Sequence, residues 1–462
     1  MSNSFGFFNL KSLQLHDFRK FRDFSIQFNV AQRSVFHNQQ KMDVGPLTVL
    51  VAKNGMGKTS VLDAVRVLFG RYTCQFKFPS YVHFQKSDIR RVAGKHASNS
   101  VLAAFASVDG EILLHGVRQP ANRILLSKKN SQTTTKGVSN INDFAICLVK
   151  ARQEQSDTEW PLLAFYGTGR LWSEHRNRYN RKGQLFPPDF GYENCLGENH
   201  NFKAVDTWLY DALFAKFSAR VQNLPDPTDV LDKLTAVECA LDSVLRSEGY
   251  EHGLLLRPTT REVAVKQLDG NIPIDIPIGQ LSDGVRAAFG LVADIAFRCA
   301  VLNPQFGSEA PQKTHGIVLI DEVDLHLHPA WQQRILNTLQ LAFPKLQFIV
   351  TTHSPQVISS VPKECVRIIS PGTSEAIALT LQTQGVESQD ILAEVFGTSG
   401  APETDEWVVK LNDYATKVAQ GVAEDGDPMY QELLGHYGTS YQPLLRIELQ
   451  RRFSTRKGGE NA

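Results

Sequence analysis

No stretch of the 462-residue chain approaches the roughly 18 consecutive apolar residues that a membrane span needs. A membrane partner is therefore not expected. The opening "MSNSFGFFNLKSLQLHDFRKF" lacks the basic, apolar and small-residue zones of a secretory signal, which predicts a cytoplasmic protein. Cysteine is scarce: Cys74, Cys147, Cys195, Cys239, Cys299 and Cys365 are scattered, with no C-x-x-C pair. That excludes a disulfide framework and predicts reduced, mostly buried thiols. Excess charge is missing as well. A net charge of +1 gives no global field toward nucleic acid, so such binding must come from local patches. Sustained heptads are absent too, which excludes a long coiled-coil arm.

What is present is an ordinary globular balance, 42% apolar and 21% charged, in a chain too long for one average domain. The first informative stretch is "PLTVLVAKNGMGKTSVLDAVRVLFG", residues 46–70. Leu47 to Val51 is a short apolar, β-branched run after Pro46 and predicts a buried strand. From Ser60 onward, Val61, Leu62, Ala64, Val65, Leu68 and Phe69 recur at helical spacing. Between them, Ala52 to Thr59 has the Walker A spacing, with Ala52 where the first glycine usually sits. The expected nucleotide-binding set is Asn54, Gly55, Met56, Gly57, Lys58, Thr59 and Ser60. Gly55 and Gly57 let backbone amides approach phosphate oxygens, and the helix start adds partial positive charge. Lys58 is expected on the β- and γ-phosphates of ATP, and the Thr59 hydroxyl on Mg²⁺.

A second apolar run, Ile317 to Ile320, delivers Asp321 and Glu322 to the C-terminal end of a predicted strand, where ligands bind in parallel sheets. Asp321 suits the magnesium shell and Glu322 the orientation or deprotonation of an attacking water. A third strand, "LQFIVTTHSP", ends at His353, which can contact a γ-phosphate. Each element alone has a plainer reading. Asp-Glu after a strand often only caps a helix, and His353 with His326 and His328 can also be read as zinc ligands.

Residues 280–290 read "QLSDGVRAAFG": a turn, an Arg and a helical run of small residues. Taken alone, Ser282 is an N-cap. Walker A, this turn, an acidic strand end and a lone histidine, in that order, resemble ABC-type ATPases. "LKSLQLHDFRKFRDFSIQF" ahead of "NGMGKTSVLDA" resembles the RecF/SMC-like branch. The resemblance implies an α/β P-loop NTPase head with a compact insertion and a helical C-terminal tail. It implies that Ser282 and Gly284 cap a nucleotide held by the Walker A of a second copy, giving a homodimer or higher oligomer. It also implies a Q-loop glutamine near the metal. Gln85 in "YVHFQKSDIR" is the candidate, with Gln75 competing.

Four regions are expected: an N-terminal lobe over 1–100, a compact insertion over 101–270, the remainder of the head over 271–400 and a helical tail over 401–462. Within the insertion, 101–118 and 142–150 read as strands, and 204–248 as two helices broken at "NLPDPTD". Residues 165–184, "FYGTGRLWSEHRNRYNRKGQ", interleave Arg170, Arg176, Arg178, Arg181 and Lys182 with Trp172 and Tyr179. They suit a phosphate backbone with stacked bases, or else a loop near the nucleotide or a subunit contact. The tail's apolar positions, Trp407, Val408, Leu411, Tyr414, Tyr430, Leu433 and Leu434, suit a core or a docking face. "YGTGRLW", "QLSDGVRA" and "DEVDLHLHP" together resemble the PtuA-type ATPases of Septu anti-phage systems, including those linked to retrons. That resemblance implies a separately encoded HNH nuclease as partner, with DNA or retron msDNA as a further one. RecF-like repair ATPases and nucleotide-gated scaffolds with little turnover are the alternatives.

Overall fold

The computed structural model describes residues 8–459 apart from 38–39, 94–99, 104, 115–116, 128–131, 135, 172–185, 199–201, 226, 270–271, 371 and 399–403. It divides into two compact units, residues 1–386 and 387–462. No helix among the described residues is long and apolar enough to cross a membrane.

The larger unit opens with the strands β1 (Phe8–Phe18) and β2 (Phe21–Gln27), then a hairpin of β3 (Arg33–His37) and β4 (Gln40–Val44). β5 (Leu47–Val51) leads into α1 (Lys58–Phe69). A small hairpin of β6 (Arg91–Ala93) and β7 (Ser100–Leu102) precedes β8 (Phe105–Leu114) and β9 (Val117–Leu126). Next come α2 (Ser139–Glu154), β10 (Leu162–Tyr166), α3 (Phe202–Val221) and α4 (Thr228–Ser247). β11 (Leu255–Arg257), β12 (Glu262–Asp269) and β13 (Ile272–Pro277) form an antiparallel sheet before α5 (Asp283–Leu302). β14 (Gly316–Ile320), β15 (Leu346–Thr352), β16 (Val366–Ile368) and β17 (Ile377–Ala378) complete the unit.

The central sheet has the order β10-β14-β15-β5-β16-β17, parallel except at β17. Every residue of β5, β10, β14 and β15 is buried, which is why these strands read as mostly apolar runs without polar alternation. A second, antiparallel sheet has the order β2-β1-β8-β9. α1 packs on β8 and β9 and also on β15. Held between two sheets, it is buried nearly all round, Asp63 and Arg66 included.

One reading of the insertion changes. Residues 142–150 lie inside α2, not in a strand: Ile141, Ala145 and Leu148 are buried at helical spacing, and sixteen residues is helix length. The run 101–118 spans the end of β7, all of β8 and the start of β9. Within 101–270, β8 and β9 complete the β1 sheet and β10 edges the central one. α3 and α4 form the helix pair, with the break at 222–227. Cys195, Cys299 and Cys365 are buried, Cys147 and Cys239 are exposed, and all six cysteines are free.

In the smaller unit, helices Glu406–Ala419, Pro428–Tyr437 and Gln442–Gly459 enclose a core of Leu411, Tyr414, Val418, Ala423, Leu433 and Leu444. Trp407, Tyr430 and Leu434 pack against it, so these tail positions serve their own unit. Glu448 is buried there. It accepts from Tyr414 (3.1 Å) and from Arg451 Nε (2.9 Å) and Nη2 (2.8 Å).

Candidate nucleotide site

The loop between β5 and α1 turns on two glycines with left-handed backbone, Gly55 at φ 73° and Gly57 at φ 103°. Gly57 is also pressed against a ring: a Cβ there would lie 2.6 Å from Cζ of Phe21. Gly57 is the N-cap of α1 and supplies no side-chain cap, and the first turn carries no acid. The amides at the helix start therefore face the loop with no carboxylate competing for them, the arrangement that receives phosphate.

Lys58 is buried, and its ammonium donates to the Ala52 carbonyl at 3.2 Å and to His353 Nε2. Burial pushes the Lys58 pKa down, against the pull of Asp321, Glu322 and Asp324. Burial, then the charge of Lys58, hold His353 below its ordinary value of 6.5. The direction of the His353 shift favours a neutral ring, which can accept from Lys58.

Thr59 Oγ1 donates to Asp321 Oδ2 at 2.8 Å, and Thr351 Oγ1 donates to Asp321 Oδ1 at 2.6 Å. The start of α1 and the ends of β14 and β15 thus converge on one carboxylate. Glu322 has a left-handed backbone, φ 47°, and its N–H donates to Thr351 Oγ1 at 2.7 Å. Thr352 Oγ1 donates to Asp324 at 2.5 Å. A hydroxyl beside a carboxylate, next to a buried ammonium and a glycine cradle, fits a magnesium nucleotide in its donor types and charge. A cleft of about 460 Å³ lined by Lys20, Phe21, Arg22, Asp23, Met56 and Thr373 adjoins the loop.

Gln85 is exposed and N-caps a short 3-10 turn, its N–H donating to Asp88 at 2.8 Å. Gln75 donates to Asn142 at 2.6 Å, so its amide is engaged on α2. Ser282 is the exposed N-cap of α5, accepting from Val285 N at 3.5 Å. Ser282 and Gly284 line a different cleft, about 680 Å³, with His326, His328, Trp331 and Arg334, and no residue of 52–60 lines it. His353 bonds Lys58 instead, and no three His, Cys, Asp or Glu residues among those described group as metal ligands.

A family model described as "AAA domain" matches residues 12–223, and one described as "AAA domain, putative AbiEii toxin, Type IV TA system" matches residues 196–359. The chain is 25% identical to the Retron Vc95 probable ATPase of Vibrio cholerae, over 89% of this chain and 84% of that protein. It is 24% identical to the Retron Ec83 probable ATPase of Escherichia coli, over 96% and 87%. Identity with the Septu protein PtuA of Bacillus mycoides is 47%, over 75% of this chain and 38% of that protein. The chain is a homologue of the retron ATPases and of PtuA. Its parallel central sheet, with a glycine loop between β5 and α1, is an α/β arrangement of P-loop type. Among solved structures, the SMC head domain from Thermotoga maritima is similar at TM-score 0.43 and 17% identity, over 81% of this chain and 100% of that chain.

Several residues around this candidate site escape sequence reading. Thr351 reads only as strand, and its bond to Asp321, thirty residues away, leaves no local signal. Behind the site, Tyr166 Oη donates to Asp294 at 2.6 Å and Arg298 Nε to the same oxygen at 2.8 Å, which ties α5 to β10. Asp321 N donates to the Tyr166 carbonyl at 2.8 Å, so this buried triad adjoins the acidic strand end. The side chains of the basic-aromatic segment from Arg170 to Lys182 lie outside the described residues.

Proposed function

We propose that this chain binds ATP with Mg²⁺ and hydrolyses it between two copies of itself, as the cytoplasmic ATPase subunit of an anti-phage complex that works with a separate HNH nuclease. The observation that carries the nucleotide reading is the convergence of Thr59, Thr351 and Asp321, one hydrogen bond from the loop that holds Lys58. The defence role rests on the homology with retron ATPases and PtuA.

In this reading Gly55 to Ser60 and Lys58 hold the phosphates. Thr59 and Asp321 would hold the metal, which would offset phosphate charge, and Gln85 is the glutamine that the resemblance would assign to it. Glu322 orients water and takes its proton, and His353 contacts the terminal phosphate. Ser282 and Gly284 serve a second copy, a role supported by their cleft lying apart from their own loop. Lys58→Ala should abolish ATP binding, and Glu322→Gln should keep binding while stopping turnover. Ser282→Arg should bind ATP yet fail to hydrolyse it. Wild-type hydrolysis by Glu322→Gln refutes the catalytic assignment, and by Ser282→Arg the two-copy site. Copurification of the native operon tests the nuclease partner, which is refuted if no HNH protein accompanies the chain.

A further inference from the structure

The turn after β14 holds a backbone that its residue type does not favour. Glu322 sits at φ 47°, in the left-handed region that a residue with a Cβ avoids. Such a conformation persists only where its surroundings fix it, and it recurs where function needs a side chain aimed against its own preference. Thr351 supplies two of the restraints. The Glu322 N–H donates to Thr351 Oγ1 at 2.7 Å, and the next N–H, of Val323, donates to the Thr351 carbonyl at 2.9 Å. The peptide units before and after the Glu322 Cα are thus both held by one residue of β15.

The same hydroxyl reaches the neighbouring acid, donating to Asp321 Oδ1 at 2.6 Å. A hydroxyl has one proton to give. The Glu322 N–H can only donate, so the hydroxyl accepts there and its proton goes to Asp321. Both bonds therefore have a fixed direction. The carboxylate polarises the hydroxyl and strengthens its hold on the Glu322 amide. Thr351 has little freedom of its own: it is fully buried, β-branched and paired with Leu50 of β5. Thr352 adds a further tie by donating to Asp324 at 2.5 Å, so consecutive threonines hold the loop 321–324.

We infer, on the nucleotide reading proposed above, that Thr351 is a positioning residue for hydrolysis: it aims the Glu322 carboxylate at the attacking water and keeps Asp321 turned to the metal. It acts through the two acids. The left-handed turn at Glu322 sets the direction of its Cα–Cβ bond, and so of the carboxylate. The step served is the one in which water gives its proton to Glu322 and its oxygen bonds the terminal phosphorus as the bond to the ADP oxygen breaks. Without the hydroxyl, Glu322 relaxes toward ordinary backbone and its carboxylate swings off line, while the glycine loop and Lys58 keep their hold on phosphate.

The test compares Thr351→Val, which has the shape of threonine without the hydroxyl, with Thr351→Ser, which keeps the hydroxyl. Urea unfolding of the full chain establishes that each variant is folded under assay conditions. Affinity is read with a fluorescent ATP analogue in EDTA and in Mg²⁺, and hydrolysis of ATP in single turnovers. Thr351→Val should bind the analogue in EDTA as wild type does and gain less affinity from Mg²⁺. Its hydrolysis rate should fall about 100-fold, the cost of a misplacement near 1 Å. Thr351→Ser should recover most of both losses. If Thr351→Val does not fold, Thr351→Ala, which leaves room for a water, is read in the same way. Hydrolysis at the wild-type rate by the folded valine or alanine variant overturns the inference. So does a serine variant as slow as the valine variant, because shape and not the hydroxyl would then decide. Lys58→Ala, run alongside, separates the two claims. If it binds the analogue as wild type does, the nucleotide reading fails and this inference with it. If it does not bind and Thr351→Val hydrolyses normally, only the inference fails.

Discussion

Replacing Gly57 by alanine tests the cradle at its tightest point. Two separate penalties are built into the position. The first is backbone: φ 103° and ψ 19° lie where an L-residue's Cβ meets its own chain, at about 1–2 kcal/mol. The second is steric, because the new methyl would stand 2.6 Å and 2.9 Å from two carbons of the Phe21 ring. That ring is 8% exposed and stacked on Phe24 at 4.5 Å, so it cannot simply swing out. Overpacking of this kind adds about 1–3 kcal/mol. The expected total is about 2–5 kcal/mol, read by urea unfolding of the larger unit. Phe21→Leu shortens the obstacle and leaves the backbone untouched. In that background Gly57→Ala should cost only the backbone share, so the double-mutant cycle should show about 1–3 kcal/mol of coupling. ATP binding should be lost in Gly57→Ala and partly restored in the double variant. Destabilisation under about 0.5 kcal/mol, the size of an ordinary surface change, or additivity in the cycle, would refute this account.

His353, held below 6.5 by burial and by Lys58, favours the neutral form in the fold, so its contribution is intact above 6.5 and is lost as pH falls below that. Imidazole NMR should place its titration below that of an unfolded-state histidine, and His353→Asn should flatten the stability profile in that window. Glu448, held at about 2 chiefly by its bonds from Arg451, should lend the smaller unit stability that is present above about 4.5 and fades as pH drops toward 2. Glu448→Gln should remove that acid sensitivity in circular-dichroism melts of the full chain. Asp294→Ala leaves the buried Arg298 guanidinium without its carboxylate and should cost about 3–5 kcal/mol in urea unfolding, whereas Tyr166→Phe should cost about 1 kcal/mol.

The parts of the fold legible in sequence are those where local pattern and tertiary environment agree. Leu47–Val51, Gly316–Ile320 and Leu346–Thr352 are mostly apolar and wholly buried because both their faces are covered, and a short apolar run bounded by turn residues says as much. The glycine loop between β5 and α1 was legible because left-handed backbone at Gly55 and Gly57 favours that residue type there. The segment 142–150 was not, since Phe144, Ala145, Ile146, Leu148 and Val149 satisfy period two and period 3.6 alike, and only its packing decides. Phe21 under Gly57, and Thr351 on Asp321, join positions far apart in the chain that no local pattern links. The same holds for the membership of β8, β9 and β10 in sheets begun elsewhere, because strand pairing across a hundred residues leaves no spacing to read.

The place of β5 in the central sheet has a consequence for synthesis. Its two neighbours are β15 and β16, which begin at Leu346 and Val366, about 300 residues later. At roughly 5–20 residues per second, the ribosome needs on the order of 15–60 s to deliver them. For all that time "LTVLV" is a nascent apolar strand with both edges open, the kind of segment that recruits chaperones or pairs wrongly with a neighbouring chain on the same message. Nucleotide can offer no help meanwhile, since the carboxylate opposite Thr59 arrives only with Asp321. Yield of native protein should therefore depend on translation speed and chaperone supply more than its final stability suggests.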